Sequence, residues 1–126
     1  MSLPENLRYS KEHTWLLVEG TIGTIGITEF AQSQLGEIVY ADLPNIGQHF
    51  DADEIFGSVE AIKTTSDLFM PVGGKVLETN EALLKRPELI NSEPFTGGWM
   101  IKIEISGDIA AENLLAYSEY YKLIAE

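Results

Sequence analysis

The sequence predicts a mainly β protein decorated with short helices. Two observations support this: apolar and polar residues alternate over short runs, and glycine, proline and asparagine separate the runs at short intervals. The clearest alternation spans residues 99–105 and predicts a core strand. We expect Trp99, Ile101, Ile103 and Ile105 of this strand to face inward and Met100, Lys102 and Glu104 to face outward.

The N-terminal part predicts a hairpin followed by a helix. Strand patterns at 13–18 and 21–27 are joined by a turn at Gly20. Thr28 is a suitable N-terminal cap for a helix over residues 29–35, and Gly36 is suited to end it. Strand pattern then returns at 37–43 and stops at 44–47.

Lys63 separates two further strand patterns, over residues 54–62 and 67–70. In the first of them, Ile55, Gly57, Val59 and Ala61 alternate with the residues between them. We therefore expect Lys63 at a hairpin tip. An amine placed there is exposed and sits on a rigid support, which suits a lysine that bears a cofactor.

The C-terminal half predicts a strand at 75–78, a single helical turn at 80–85 and a loop over 87–98. From residue 108 onward the pattern fits one or two C-terminal helices, with Ser118 as a candidate cap of the second.

Length and composition restrict the range of possible functions. The 126 residues predict a single domain over 1–126, and the lack of cysteine excludes disulfides and thiolate chemistry. Twenty acidic against eight basic residues give a net charge of −12, which disfavours nucleic acid and anionic membranes and favours partners with basic docking faces. Since no signal peptide or membrane-spanning run is evident, we expect a cytoplasmic protein.

Several familiar functional motifs are not matched by this sequence. The glycines between Gly20 and Gly26 have the wrong spacing for a dinucleotide fingerprint and read as strand glycines. The acidic stretch from His49 to Glu54 lacks the glycine and distal glutamate of a calcium loop, so we predict a solvated turn without a metal. With two histidines no Ser/His/Asp set is apparent, and no enzyme active site is visible.

The surroundings of Lys63 resemble the lysine hairpin of lipoyl and biotinyl carrier domains. Glu60 precedes it in a Glu-x-x-Lys pattern, and Pro71 and Gly74 follow in Pro-x-x-Gly-x-Val. Biotinyl domains usually have methionine on both sides of the lysine, where this chain has isoleucine and threonine. Further segments are similar to the H-protein family of the glycine cleavage system over nearly the whole chain, among them Gly23-Thr-Ile-Gly-Ile-Thr-Glu-Phe-Ala-Gln-Ser-Gln-Leu-Gly36, Val39-Tyr-Ala-Asp-Leu-Pro44 and Gly98-Trp-Met-Ile-Lys-Ile103.

The resemblance implies a barrel-sandwich hybrid of antiparallel sheets and a lipoyl group carried on Lys63. It also implies a carrier, not an enzyme, that shuttles the aminomethyl group of glycine from a pyridoxal-phosphate glycine decarboxylase to a tetrahydrofolate-dependent aminomethyltransferase. A dihydrolipoyl dehydrogenase then reoxidises the arm. A lipoylating enzyme would modify Lys63, and we expect it to recognise Glu60, which precedes the turn.

Two departures from the family pattern concern the site. The chain has Glu60-Ala-Ile-Lys-Thr64 where relatives usually read Glu-Ser-Val-Lys-Ala, and Thr14 where they usually have glutamate. In the family that glutamate and an aspartate matching Asp67 are thought to hold the loaded arm in a cleft. Glu12 would share the face of Thr14 on a continuous strand.

Two other functions stay open on the sequence alone. The chain could relay lipoate to other enzymes, or it could be an unmodified β-rich interaction module in which Lys63 is an ordinary turn residue.

Overall fold

The computed structural model describes residues 8–10, 13–93, 97–106 and 114–125. Most of the regular structure in these residues is strand, which confirms the predicted mainly β class. The part of the predicted C-terminal helices that falls on residues 107–113 lies outside the described ranges. The strands are β1 Arg8–Tyr9, β2 Thr14–Glu19, β3 Ile22–Ile27, β4 Ile38–Asp42, β5 His49–Phe50, β6 Ile55–Ala61, β7 Thr65–Phe69, β8 Gly74–Thr79 and β9 Ile101–Ile105; the helices are α1 Glu29–Leu35, α2 Ala82–Lys85, α3 Leu89–Ser92 and α4 Tyr117–Ala125.

The strands form two antiparallel sheets. The larger has the order β1-β2-β3-β9-β8-β5 and the smaller the order β4-β6-β7. Buried side chains from both sheets form one hydrophobic core, with Leu16 and Ile103 from the larger sheet and Val59 and Leu68 from the smaller. Burial of this shared apolar surface holds the two sheets together and gives the hairpin β6–β7 a fixed base.

Local signals in the N-terminal part are confirmed. Gly20 takes the left-handed conformation at the turn between β2 and β3, with a φ of 66°. Gly26 lies against Trp15, since a Cβ added there would be 2.7 Å from the indole ring, so the strand-glycine interpretation holds. The backbone N–H of Ala31 donates to Oγ1 of Thr28 at 3.2 Å, which is the predicted cap of α1.

The predicted alternation of β6 is interrupted by a bulge. The register between β6 and β7 shifts between Ile55 and Gly57, so Ile55 is half exposed while the next residue, Phe56, is buried. Beyond the bulge, Val59 and Ala61 point to the core as a regular strand requires.

Three predictions in the C-terminal half were wrong. Met100 is buried in the hydrophobic core and not outward, because it precedes β9 and is not bound by the alternation of that strand. The predicted loop 87–98 contains α3, whose apolar residues Leu89 and Ile90 are buried. Ser118 lies within α4 and is not its cap, because the helix begins one residue earlier, at Tyr117.

Helix α4 packs against β1 through aromatic side chains. The ring of Tyr120 stacks on Tyr9 with centroids 4.6 Å apart, and its hydroxyl lies 2.7 Å from Oγ1 of Thr28. Burial raises the pKa of Tyr120 to about 12, although the hydrogen bond with Thr28 opposes this rise. None of the helices in the described part of the chain is long and apolar enough to cross a bilayer.

Candidate functional site

Lys63 lies at the tip of the β6–β7 hairpin, as predicted. The N–H of Ala61 donates to the carbonyl oxygen of Thr64 at 2.7 Å, which leaves Ile62 and Lys63 as the two central residues of the turn. Both are exposed. The N–H of Ile62 also donates to the carbonyl oxygen of Glu37, just before β4, at 3.2 Å. The lysine is therefore accessible, and its backbone is tied to the sheet on both sides.

The outer face of the smaller sheet carries two rows of side chains below this tip. Register partners in an antiparallel sheet share a face, so Tyr40, Glu60 and Thr65 form the row nearer the tip. The second row, one pleat further away, consists of Asp42, Ser58 and Asp67. The predicted site residues Glu60 and Asp67 thus lie on the same face as each other, both exposed to solvent.

A cleft of about 430 Å³ opens beside the second row. Asp42 and Asp67 line it from opposite sides of Ser58, and aromatic and aliphatic side chains contribute an apolar part. Asp67 is four residues after Lys63 in sequence, so at the rise of an extended chain the cleft lies at most about 13 Å from the tip. Its lining is Asp42, Leu43, Pro44, Asn45, Gln48, Phe50, Ile55, Phe56, Gly57, Ser58 and Asp67.

Sequence reasoning did not identify Asp42 as part of this site. The only signal available was a charged residue at the end of a predicted strand. Asp42 and Asp67 line the same cleft only because β6 pairs with β4 on one side and with β7 on the other.

Thr14 is buried and engaged in the fold. Its hydroxyl lies 2.6 Å from Oγ of Ser10 and donates to the carbonyl oxygen of Phe69 at 3.4 Å. Thr14 does not line the cleft. It therefore supplies neither a carboxylate nor an exposed group, and Glu12 lies outside the described residues.

Ser106, His49 and Asp51 lie near one another on the surface of the described part of the chain. Oγ of Ser106 is 3.2 Å from Nε2 of His49, whose Nδ1 is 4.0 Å from Oδ1 of Asp51. A separation of 4.0 Å is too long for the hydrogen bond that orients a catalytic histidine. The histidine and aspartate side chains are 54% and 82% exposed, so this surface cluster has no activated nucleophile.

Comparison with known proteins identifies the family. The profile described as Glycine cleavage H-protein matches residues 7–126. The chain belongs to this family. Curated relatives named "Glycine cleavage system H protein" include one from Carboxydothermus hydrogenoformans, 48% identical over 98% of this chain and 95% of the relative, and one from Bacillus cereus (strain AH187), 51% identical over 98% and 97%.

A solved structure supports the same membership. The crystal structure of a glycine cleavage system H protein from Mycobacterium marinum superposes with a TM-score of 0.91 at 31% identity, covering 98% of this chain and 100% of the other. The predicted fold of antiparallel sheets is thereby confirmed. Membership also confirms the predicted class of function, a lipoyl carrier component of the glycine cleavage system that is not itself a catalyst.

Proposed function

We propose that this chain carries its lipoyl group in amide linkage on Lys63. The observation that supports this most strongly is the position of the lysine at the exposed tip of a hairpin whose base is fixed in the core. Lys63 is also the only lysine or arginine between residues 12 and 74, so no other amine lies near this tip in the sequence. The bound group would supply the dithiolane that accepts and releases the aminomethyl group.

The polypeptide's part in this function is to present the arm. The outer face of the β4-β6-β7 sheet gives the arm a surface to lie on, and the cleft beside Asp67 offers shelter from water. We propose that the carboxylate of Asp67 accepts hydrogen bonds from the ammonium of the loaded arm, which is a charge-assisted contact available only in the loaded state. Glu60 is exposed one row nearer the tip, and the lipoylating enzyme would recognise it there.

The partners follow from this role. They are a pyridoxal-phosphate glycine decarboxylase that loads the arm, a tetrahydrofolate-dependent aminomethyltransferase that unloads it, a dihydrolipoyl dehydrogenase that reoxidises it and a lipoylating enzyme. We place this cycle in the cytoplasm.

Mass spectrometry of protein expressed in its native host tests the attachment site. We expect intact wild-type protein to gain the mass of one lipoyl group, and peptide mapping to place it on Lys63. Lys63→Arg should fold and stay unmodified, because a guanidinium is permanently protonated and is a poor acyl acceptor. Lys75→Arg, at an exposed position in the other sheet, is the matched control and should be lipoylated normally. Lipoate found on Lys75 or Lys102, or no modification at all, would overturn the assignment.

A further inference from the structure

We propose that the outer face of the β4-β6-β7 sheet is the docking surface for the enzyme that loads the arm, and that this enzyme presents an apolar socket rimmed by lysine and arginine side chains. The inference rests on the proposed function, which requires such an enzyme. Eight large apolar side chains are exposed in the described part of the chain, and five of them lie on this sheet or in the loop after β4: Val39, Tyr40, Ile46, Ile55 and Ile62. This concentration of exposed apolar side chains on and beside one sheet marks an interaction surface.

Two of these side chains flank the attachment lysine. Tyr40 is the register partner of Glu60, and Ile62 follows Glu60 by two residues. The N–H of Ile62 donates to the carbonyl oxygen of Glu37, just before β4, so Ile62 and Tyr40 both lie at the end of the sheet nearest the tip. Tyr40 is 49% exposed and Ile62 67% exposed. We call this pair the apolar island. It adjoins Lys63, so a partner that covers it brings its active site to the base of the arm.

Four carboxylates lie beside the apolar island or in the next row of the face. Glu37 and Glu60 lie beside Ile62 and Tyr40 respectively, and Asp42 and Asp67 form the next row of the same face. All four are exposed. An apolar patch bordered by negative charge is complementary to an apolar socket with a basic rim, and it disfavours partners with acidic faces.

Lys63 gives this surface a second property. It is the only lysine or arginine between residues 12 and 74, so the amine is the one cationic side chain of these two types on the smaller sheet and its connecting turns. Amide formation on its nitrogen removes that charge. The lipoylated face is therefore more negative by one charge than the unmodified face, and a basic partner binds the lipoylated carrier more tightly. The loading enzyme thereby selects carriers that can accept cargo.

Competition experiments with unlipoylated protein test the apolar island. Unlipoylated carrier is added as a competitor while the host's glycine decarboxylase loads lipoylated wild type. The double variant Tyr40→Ala/Ile62→Ala should inhibit at least about tenfold more weakly than wild type, because buried anchors dominate interface energies. Leu84→Ala, on α2 and 58% exposed before substitution, removes a comparable apolar side chain elsewhere and should inhibit as wild type does. If the double variant does not fold, Ile62→Ala alone can be tested in the same assay, because Ile62 lies in the exposed turn.

The same assay tests discrimination by charge. Lys63→Gln carries a neutral amide and should inhibit about two- to fivefold more strongly than unlipoylated wild type at low salt, whereas Lys63→Arg should match wild type. High salt should abolish the difference. Equal inhibition by Lys63→Gln and Lys63→Arg, or inhibition by the double variant as strong as that by wild type, would overturn the docking surface. Normal loading of lipoylated wild type would still support the proposed function in that case. If lipoylated wild type is not loaded at all, the proposed function itself fails and takes this inference with it.

Discussion

The hydroxyl of Tyr120 lies 2.8 Å from Nδ1 of His13, in a contact that spans almost the whole length of the chain. His13 immediately precedes β2 and has a φ of 67°, in the left-handed region that non-glycine residues seldom adopt. The same hydroxyl contacts Thr28, the cap of α1. One buried phenol thus joins the C-terminal helix to the start of β2 and to the first helix.

We expect Tyr120→Phe to lower the free energy of unfolding by about 1–3 kcal/mol, because removal of the hydroxyl takes a hydrogen-bond partner from both His13 and Thr28 in a buried site. Urea unfolding at neutral pH measures this change. Tyr40→Phe removes the same hydroxyl from a half-exposed ring and should change stability by less than about 0.5 kcal/mol. Equal effects of the two substitutions would show that the Tyr120 network contributes nothing specific.

The raised pKa of Tyr120 predicts a loss of stability in alkali. Its ordinary value is 10.0 and its value in the fold is about 12. Below pH 10 the phenol is protonated in both states and its contribution is intact. Between pH 10 and about 12 the unfolded chain loses this proton first, so stability falls as the pH rises. Unfolding curves from pH 9 to 11.5 should fall more steeply for wild type than for Tyr120→Phe, and parallel curves would contradict this prediction.

Glu60→Ala should slow lipoylation without disturbing the fold. Glu60 is exposed on the outer face of β6, so its loss should change the free energy of unfolding by about 0.5 kcal/mol or less. If its carboxylate pairs with a basic residue of the lipoylating enzyme, the modification rate should fall roughly two- to fivefold. Time courses of mass gain measure the rate. An unfolded variant that is still modified at the normal rate would make Glu60 a structural residue instead.

Asp67→Asn should shorten the lifetime of the loaded carrier. The substitution keeps the shape of the side chain but removes the charge that would hold the ammonium. Because Asp67 is exposed, we assign the contact the lower end of the range for charged hydrogen bonds, about 1.5 kcal/mol, or roughly tenfold faster release of formaldehyde and ammonia. Thr14 provides no second carboxylate here, so the effect should be larger than in relatives with glutamate at that position.

Glu104→Gln is the matched control for Asp67→Asn, because Glu104 is an exposed carboxylate in the other sheet. Lipoylation and reoxidation of the empty arm should stay near normal in both variants. A loaded Asp67→Asn carrier that lasts as long as wild type would rule out this clamp and make Thr14→Glu the next substitution to test.

Gly57→Ala should destabilise the hairpin that bears Lys63. A Cβ at this position would overlap the carbonyl oxygen of Asp42 in β4, which is backbone and cannot rotate away. We expect a loss of about 1–3 kcal/mol, as for other overpacking substitutions. Gly73→Ala is the control, because its Cβ would meet its nearest neighbours at an ordinary 3.5 Å. Denaturant midpoints compare the two, and a tolerated Gly57→Ala would show that β4 can move away from β6.

The sequence was most informative where local chemistry determines structure. The cap at Thr28, the turn at Gly20 and the Lys63 hairpin all depend on residues adjacent in sequence. The errors arose where a tertiary contact overrides the pattern. The bulge at Ile55 reverses the face of one residue, and Met100 lies just before β9, where its backbone bonds to Ile25 and the period-two pattern of the strand no longer sets its orientation.

The candidate site also contains residues that the sequence could locate and others that depend on tertiary structure. Lys63 could be located from its flanking strands, and Glu60 from its place before the turn. The cleft could not, because its two carboxylates come from strands that meet only through the sheet order β4-β6-β7. The burial of Thr14 likewise depends on contacts with Ser10 and Phe69, from two other parts of the chain.

The irregular pairing of β4 also bears on whether this strand could pair with a second copy of the chain. β4 is an edge of the smaller sheet among the described strands, and edge strands with free backbone groups can recruit strands from other molecules. Its register with β6 shifts between Ile38 and Tyr40, and Asp42 places a charge at its end. Such interruptions make the edge a poor template for continuous pairing. We therefore expect β4 to resist strand pairing with a second copy of the chain, even though exposed apolar side chains lie close by.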